Sequence, residues 1–134
     1  MREILFRGKK KDNGEWVEGF YSNGLYANKH YISKWYYGSY AELQRFEVMP
    51  ETIGQYTGLT DNNGVKIFEG DIVMLGLFPY VVKYDTENAR FMFYNKNGIL
   101  QNGFNADTMA TKKIVGNIHD NPELMPQSYT TQHF

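Results

Sequence analysis

The sequence predicts a mainly β fold, with antiparallel strands in a small barrel-like core that is SH3-like in part and carries short helical turns. Glycine occurs thirteen times, and many glycines follow asparagine, as in Asp12-Asn13-Gly14 and Asp61-Asn62-Asn63-Gly64. Asn-Gly pairs favour tight hairpin turns because both residues tolerate positive φ. No segment keeps apolar residues at helical spacing over about twelve residues. Many short segments between turn signals are typical of antiparallel sheets.

The first half of the chain is predicted to form hairpins around its turn signals. Asp12-Asn13-Gly14 joins a strand at Ile4–Arg7 to one at Trp16–Tyr21, and Ser22-Asn23-Gly24 is a second turn. The following segments are Leu25–Ala27, Tyr31-Ile32, a tyrosine-rich strand or loop at Trp35–Tyr40, a helical turn at Ala41–Arg45, and a strand at Phe46–Met49 that ends at Pro50.

The second half is predicted to hold the main core. Its strands are Ile53–Thr57, Val65–Phe68, Asp71–Leu75, Tyr80–Tyr84, Arg90–Tyr94 and Lys113–Ile118, with turns at Asp85–Ala89 and Asn95–Gly98. Asn105 is placed to cap one helical turn, and Pro122 to begin another. We expect a shared core from Ile53, Ile67, Ile72, Val73, Val81, Phe91, Phe93, Ile114 and Ile118.

Length and composition indicate a single globular domain over residues 1–134. A chain of 134 residues with 42% apolar content can bury one adequate core. An N-terminal lobe at 1–45, packed on a β core at 46–125 with a tail at 126–134, is a second possible division. The lack of cysteine excludes disulfides and cysteine-based metal or redox chemistry. We expect no secretory signal and no membrane span, and therefore a cytoplasmic location.

The net charge of −1 is a poor overall match to a polyanion. The charge is unevenly distributed, however. Residues 1–50 carry eight basic and six acidic residues, whereas residues 51–134 carry six and nine. The asymmetry is small, however, and folding easily scatters it over the surface.

Three blocks of sequence resemble the YopX family, small proteins of phages and prophages of Gram-positive bacteria. The first block is Arg2–Lys9 with Gly14–Gly19, the second is Glu51–Val73, and the third is Val115–Leu124. Together they cover roughly a third to a half of the chain and span both ends. The resemblance implies no assigned activity, cofactor or catalytic residues, so no functional residue can be transferred from it.

A basic and aromatic stretch is the main candidate for a partner surface. Its residues are Lys9, Lys10, Lys11, Lys29, Lys34, Trp35, Tyr36 and Tyr37. Rings interleaved with cations can stack on single-stranded nucleic acid along a positive groove. Tyrosine and tryptophan are also enriched in subunit interfaces, so self-association into a homo-oligomer is the main hypothesis and nucleic-acid binding the alternative. A plain surface or core role remains open for the same residues.

The acidic and histidine motifs point to turns rather than to catalysis. Gly64 and Gly70 are suited to positive φ, and Asp71 to accepting hydrogen bonds from nearby backbone amides. Glu69 and Asp71 share a strand face, but no third metal ligand is near them in sequence. His119-Asp120 has no nucleophile motif beside it. We therefore expect no catalytic, metal or cofactor site, with a hydrolase using Asp71, His119 or Asp120 as the less favoured reading.

Overall fold

The computed structural model describes residues 2–24, 28–95, 98–100 and 104–125, and it forms two compact units. Unit 1 is Met1–Tyr56 and unit 2 is Thr57–Phe134. Both are built from antiparallel strands, which confirms the mainly β prediction. Residue 45, where a lobe boundary was considered, lies within the strand Ala41–Val48, and the predicted tail at 126–134 lies outside the described residues. The prediction of a single domain with a possible lobe at 1–45 stays a prediction.

Unit 1 is a curved sheet with the strand order β4-β3-β2-β1-β5. Its strands are β1 at Phe6–Lys9, β2 at Trp16–Asn23, β3 at His30–Tyr37 and β4 at Ala41–Val48, followed by a short 3-10 helix at Pro50–Thr52 and the start of β5 at Gly54–Thr60. The predicted turn at Asn13-Gly14 joins β1 to β2, and Gly14 has a φ of +73°. The predicted segment Leu25–Ala27 lies outside the described residues.

The predicted helical turn at Ala41–Arg45 is wrong, because these residues begin β4. They pair with β3 in an unbroken register from Tyr37 opposite Ala41 to His30 opposite Val48. The run Ala-Glu-Leu-Gln-Arg favours helix by intrinsic propensity. Pairing with a neighbouring strand overrides that preference, and Trp35–Tyr37 accordingly continues β3 rather than forming a loop.

The sheet of unit 1 curls so that the end of β4 meets the end of β1. Lys10 forms an isolated antiparallel bridge with Val48, the Lys11 amide donates to the Glu47 carbonyl at 2.9 Å, and the Met49 amide donates to the Lys9 carbonyl at 2.9 Å. The curled face encloses a small core of Val17, Ile32 and Val48, with Phe6, Phe46 and Ile53 packed against it. Ile53 therefore belongs to this core and not to the second-half core that was expected.

Unit 2 contains a five-stranded sheet with the order β10-β9-β8-β7-β11. Its elements are the rest of β5, β6 at Lys66–Phe68, β7 at Asp71–Leu75, β8 at Phe78–Asp85, β9 at Arg90–Asn95, β10 at Gly98–Leu100, the helix α1 at Ala106–Met109, β11 at Ile114–Asn117 and a 3-10 helix at Pro122–Leu124. Asn105 caps α1 by accepting a hydrogen bond from the Thr108 amide, as predicted. Among the described residues, no helix has the length and hydropathy needed to span a bilayer.

The five-stranded sheet is covered on both faces, so the expected single core is divided in two. One cluster contains Ile67, Val73, Val82, Phe93 and Met109, and the other contains Ile72, Val81, Ile118 and Met125. Neighbouring residues such as Ile72 and Val73 point to opposite faces because side chains alternate along a strand. Burial of the sheet on both faces therefore explains why its strands contain apolar runs with no alternating polar residues.

A buried carboxylate fixes the turn between β5 and β6. Asp61 is only 5% exposed, and its Oδ1 accepts hydrogen bonds from the amides of Asn63 at 2.8 Å and Val65 at 3.0 Å. Its Oδ2 accepts a third from the Ile114 amide at 3.1 Å, at the start of β11. One side chain thus connects a local turn to a strand far away in sequence.

Candidate functional site

The far end of the β3–β4 hairpin is the most exposed aromatic surface in the described part of unit 1. β2 pairs with β3 only from His30 to Ser33, so residues 34–37 pair with β4 alone. We call residues 34–44 the hairpin tip. Within it, Tyr37 is 80% exposed, Tyr40 75%, Leu43 50% and Trp35 45%. Rings of this size usually bury most of their area, so their grouping at one exposed tip marks a candidate contact surface.

The two faces of the hairpin tip differ, because side chains alternate along each strand. Trp35 lies opposite Leu43 and Tyr37 opposite Ala41 on the face that points away from the unit 1 core. Phe20, which is paired with Ser33 on β2, lies on that same face and is also exposed. We call Phe20, Trp35, Tyr37 and Leu43 the outer patch.

The other two residues of the predicted aromatic stretch lie on the inner face. Lys34 and Tyr36 follow Ile32, which is fully buried in the core. Tyr36 makes an edge-on contact with Phe46, with ring centroids 6.4 Å apart, and the Lys34 ammonium lies 5.6 Å from the Tyr36 ring centroid. The predicted stretch 34–37 therefore contributes to two surfaces rather than to one.

Three of the predicted lysines, Lys10, Lys11 and Lys29, lie near the opposite end of β4. Lys10 bridges Val48, and Lys11 and Lys29 both approach the Glu47 carboxylate, at 3.2 and 3.9 Å. Val48 and Leu43 are five positions apart on one strand, which corresponds to about 17 Å at the usual rise per residue. The structure thus separates the lysine cluster from the outer patch.

Several cations of unit 1 lie over aromatic rings of the same unit. The Trp16 ring has the Arg7 guanidinium 4.6 Å and the Lys9 ammonium 5.6 Å from its centroid. Lys10 lies 4.2 Å from the Phe46 ring centroid, and Arg45 4.2 Å from that of Tyr31. These cation–π contacts stabilise the sheet surface and hold the charged groups against their own chain.

The predicted turn residues have the following geometry. Gly64 and Gly70 have φ angles of +77° and +92°, which favour glycine. Asp71 is buried, and its Oδ2 accepts a hydrogen bond from the Phe68 amide at 2.8 Å. The carboxylate thereby closes the tight turn between β6 and β7.

The His119-Asp120 motif forms part of another turn. The His119 backbone N–H donates a hydrogen bond to Asn117 Oδ1 at 3.0 Å. The side-chain Nδ2 of Asn117 donates one to Asp120 Oδ2 at 3.1 Å. The His119 ring lies against Gly70, where Nε2 would be 3.4 Å from an added Cβ. Over the described ranges, no group of three or more acidic or histidine side chains is spaced to hold a metal ion.

A second exposed apolar tip, at the β7–β8 turn of unit 2, was not identified as a candidate surface from the sequence. Leu77 is 88% exposed, and Phe78 and Met74 are exposed beside it. The sequence does contain a signal, because residues 72–82 carry no charge although a hairpin turn interrupts them. Turn tips are usually polar, so an uncharged tip of this kind is unusual.

Comparisons with known proteins identify a family and a fold. A family model described as YopX protein matches residues 5–126. A solved structure, the crystal structure of protein EF1440 from Enterococcus faecalis, is similar with a TM-score of 0.60 and 23% sequence identity, covering 94% of this chain and 100% of that one. No curated protein matches the chain in sequence. The structural likeness shows a shared fold alone.

Proposed function

The chain belongs to the YopX protein family, and on this premise we propose that it is a non-catalytic accessory protein of a phage or prophage that acts in the bacterial host cell by self-association. The observation that carries this proposal is the outer patch. Its Phe20, Trp35, Tyr37 and Leu43 expose apolar area on one face of the sheet. Burying such area is favourable by about 25 cal/mol per Å².

The chemistry of the outer patch favours a protein surface as its partner. Aromatic residues are enriched and lysine is depleted at the centre of protein interfaces. The nearest lysine along β3, Lys34, lies on the opposite face of the strand. A second copy of the chain offers the same rings, and a symmetric pair would bring the two patches into contact with each other.

Removing the two apolar side chains at the centre of the patch should weaken self-association. We expect the double variant Trp35→Ser with Leu43→Ser to dimerise about 10-fold more weakly or worse, because buried tryptophans are frequent hot spots. Sedimentation velocity over a range of micromolar concentrations measures the change. Circular dichroism checks that the β fold is kept.

The exposed tip of unit 2 supplies the matched control. Leu77→Ser removes an even more exposed apolar side chain at another hairpin turn, and it should leave the sedimentation profile unchanged. A wild-type protein that stays monomeric throughout the concentration range would refute self-association. Dissociation by Leu77→Ser but not by the double variant would move the interface to unit 2.

Nucleic-acid binding is the second candidate, and the approach of Lys11 and Lys29 to the Glu47 carboxylate, with Lys10 bridging the next residue Val48, favours it. We expect such binding to be weak and strongly reduced by salt, since it would rest on phosphate contacts. Fluorescence anisotropy with a labelled single-stranded oligonucleotide at low and moderate salt tests it. The absence of binding at low salt, or binding unchanged in Lys10→Ala with Lys11→Ala, would remove this candidate.

A further inference from the structure

Along the outer edge of β4, the backbone groups that precede Glu47 pair with no described strand. β4 is the last strand in the sheet order, and the β1–β2 turn reaches only its end, through the Lys11 amide on the Glu47 carbonyl and the Met49 amide on the Lys9 carbonyl. Backbone groups of alternate residues point to opposite sides of a strand. Ala41, Leu43 and Arg45 therefore direct their N–H and C=O groups outward, as Glu47 does.

An edge of this length is usually protected, because unpaired N–H and C=O groups are a template for another strand. Here the free part runs from Ala41 to Arg45, and Leu43 is its midpoint. No proline or bulge interrupts it, since the register with β3 is continuous along the whole of β4. The edge is thus ready to accept a strand.

We propose that two copies of the chain pair antiparallel through this edge of β4, on a two-fold axis that passes through Leu43. The inference rests on the proposed self-association and specifies its geometry. In this register Leu43 faces Leu43 of the second copy, and Ala41 of each copy faces Arg45 of the other. All of the outward backbone groups of residues 41–45 are then paired, and the two sheets become one continuous sheet.

Charge selects this register over its neighbours. A two-fold axis through Glu42 would place two glutamates opposite each other, and an axis through Arg45 would place two arginines opposite each other. Both registers are disfavoured because like charges in directly opposite positions are destabilising. An axis through Gln44 would place Glu42 against the half-buried Phe46 ring. With the axis at Leu43, Glu42 faces Gln44 instead.

The axis at Leu43 also joins the two outer patches. Trp35 lies directly opposite Leu43 on β3. Pairing Leu43 with its copy therefore produces a row of Trp35, Leu43, Leu43 and Trp35 across four strands on one face. Cross-strand apolar and aromatic neighbours of this kind are a main source of sheet stability.

A cavity of about 330 Å³ lies at the end of the free edge and fits the same arrangement. Lys11, Asp12, Arg45, Phe46 and Glu47 line it. Continuing the register by one residue brings Tyr40 of the second copy opposite Phe46. Tyr40 is 75% exposed beside the hairpin turn, so its ring can enter the cavity over Phe46 with its hydroxyl close to polar groups.

Disulfide cross-linking tests the register directly, because the chain contains no cysteine. Residues in a hydrogen-bonded antiparallel pair have Cα atoms about 5.5 Å apart, which suits a disulfide. Under a glutathione redox buffer, Leu43→Cys should therefore form a covalent dimer with itself. Glu42→Cys and Gln44→Cys should each cross-link poorly alone, because diagonal positions are about 7–8 Å apart. Mixed together, with one carrying a size tag, they should form the heterodimer.

Leu77→Cys, at the more exposed tip of unit 2, measures cross-linking by random collision. We expect Leu43→Cys to exceed it by about 10-fold or more. The register is wrong, while self-association stands, if wild-type protein sediments as a dimer but Leu43→Cys does not cross-link more than this control. The same conclusion follows if Gln44→Cys cross-links best with itself. If wild-type protein is monomeric and Leu43→Cys stays at the control level, the proposed function and the register both fail.

Discussion

Replacing Gly19 by alanine should unfold unit 1 or destabilise it by about 3 kcal/mol or more. Gly19 lies in β2, between its partner Phe6 on β1 and the adjacent β3 residue Ser33. A Cβ at this position would lie 2.1 Å from the Ser33 carbonyl oxygen and 2.9 Å from its carbon. Both are backbone atoms, so relief requires the strands to move apart. A glycine inside a strand often marks such a close approach of two backbones.

Urea unfolding followed by circular dichroism measures this effect, and Gly38→Ala is the matched control. Gly38 lies in the β3–β4 turn of the same unit, and an added Cβ there would meet no atom within 4 Å. Its φ is also outside the positive range. We expect the control to change the free energy of unfolding by less than about 0.5 kcal/mol. Equal effects from the two alanine substitutions would contradict the steric explanation.

The second large effect is expected at Asp61, where alanine should cost about 2–4 kcal/mol of stability. The substitution leaves the amides of Asn63, Val65 and Ile114 without their acceptor. Asp61→Asn isolates one part of this loss, because its carbonyl oxygen can still accept from Asn63 and Val65, whereas its amino group would face the Ile114 amide. Asp107→Asn, at an exposed position, should change stability by less than about 0.5 kcal/mol.

The contribution of Asp61 should also depend on pH. Burial raises the pKa of its carboxyl group, but hydrogen bonds from Ile114, Val65 and Asn63, together with the charge of Lys113, outweigh burial and hold the pKa below its ordinary value. The unfolded pKa is about 3.9, so the stabilisation is complete above about pH 4 and is lost as pH falls through the folded pKa. The stability gap between wild type and Asp61→Asn should therefore narrow between pH 6 and pH 3. A gap that widens on acidification would contradict this account.

Comparing the stability of wild type with that of Asp61→Asn separates the pH effect of Asp61 from the pH effects of other carboxylates. The pKa of Asp85 is also lowered, mainly by a hydrogen bond from the Asn88 side chain and also by the Glu87 and Asn88 amides and Arg90, despite an opposing effect of burial. Asp85 therefore contributes with the same sign to the acid sensitivity of the whole chain. It is present in both proteins, so its contribution cancels in the difference.

Turn chemistry was the part of the fold that could be predicted well from sequence. Asn13-Gly14 forms a hairpin turn and Asn105 caps a helical turn, because both depend on local backbone preferences that these residues express anywhere. Strand pairing depends on residues far apart in sequence, so the helix propensity of Ala41–Arg45 led to a wrong prediction there. The close approach at Gly19 could not be anticipated either, because it depends on which strand lies beside β2.

The candidate surface was predictable in composition but not in arrangement. The lysines and rings identified from sequence do lie in unit 1, yet alternation along β3 sends Trp35 and Tyr37 to one face and Lys34 and Tyr36 to the other. The distance between Lys10 and the hairpin tip follows from the pairing of β4 with both β3 and Lys10. Sequence proximity carries no information about either property until the register is known.

The positions of the two tryptophans give the protein an intrinsic optical reporter. Trp16 and Trp35 both belong to unit 1, and unit 2 has no tryptophan. Fluorescence excited near 295 nm, where indole dominates absorption, therefore follows unit 1 alone, whereas peptide ellipticity follows both units. Denaturation curves that coincide in the two signals would indicate that the units melt as one cooperative body, and curves that separate would assign the first transition to one of them.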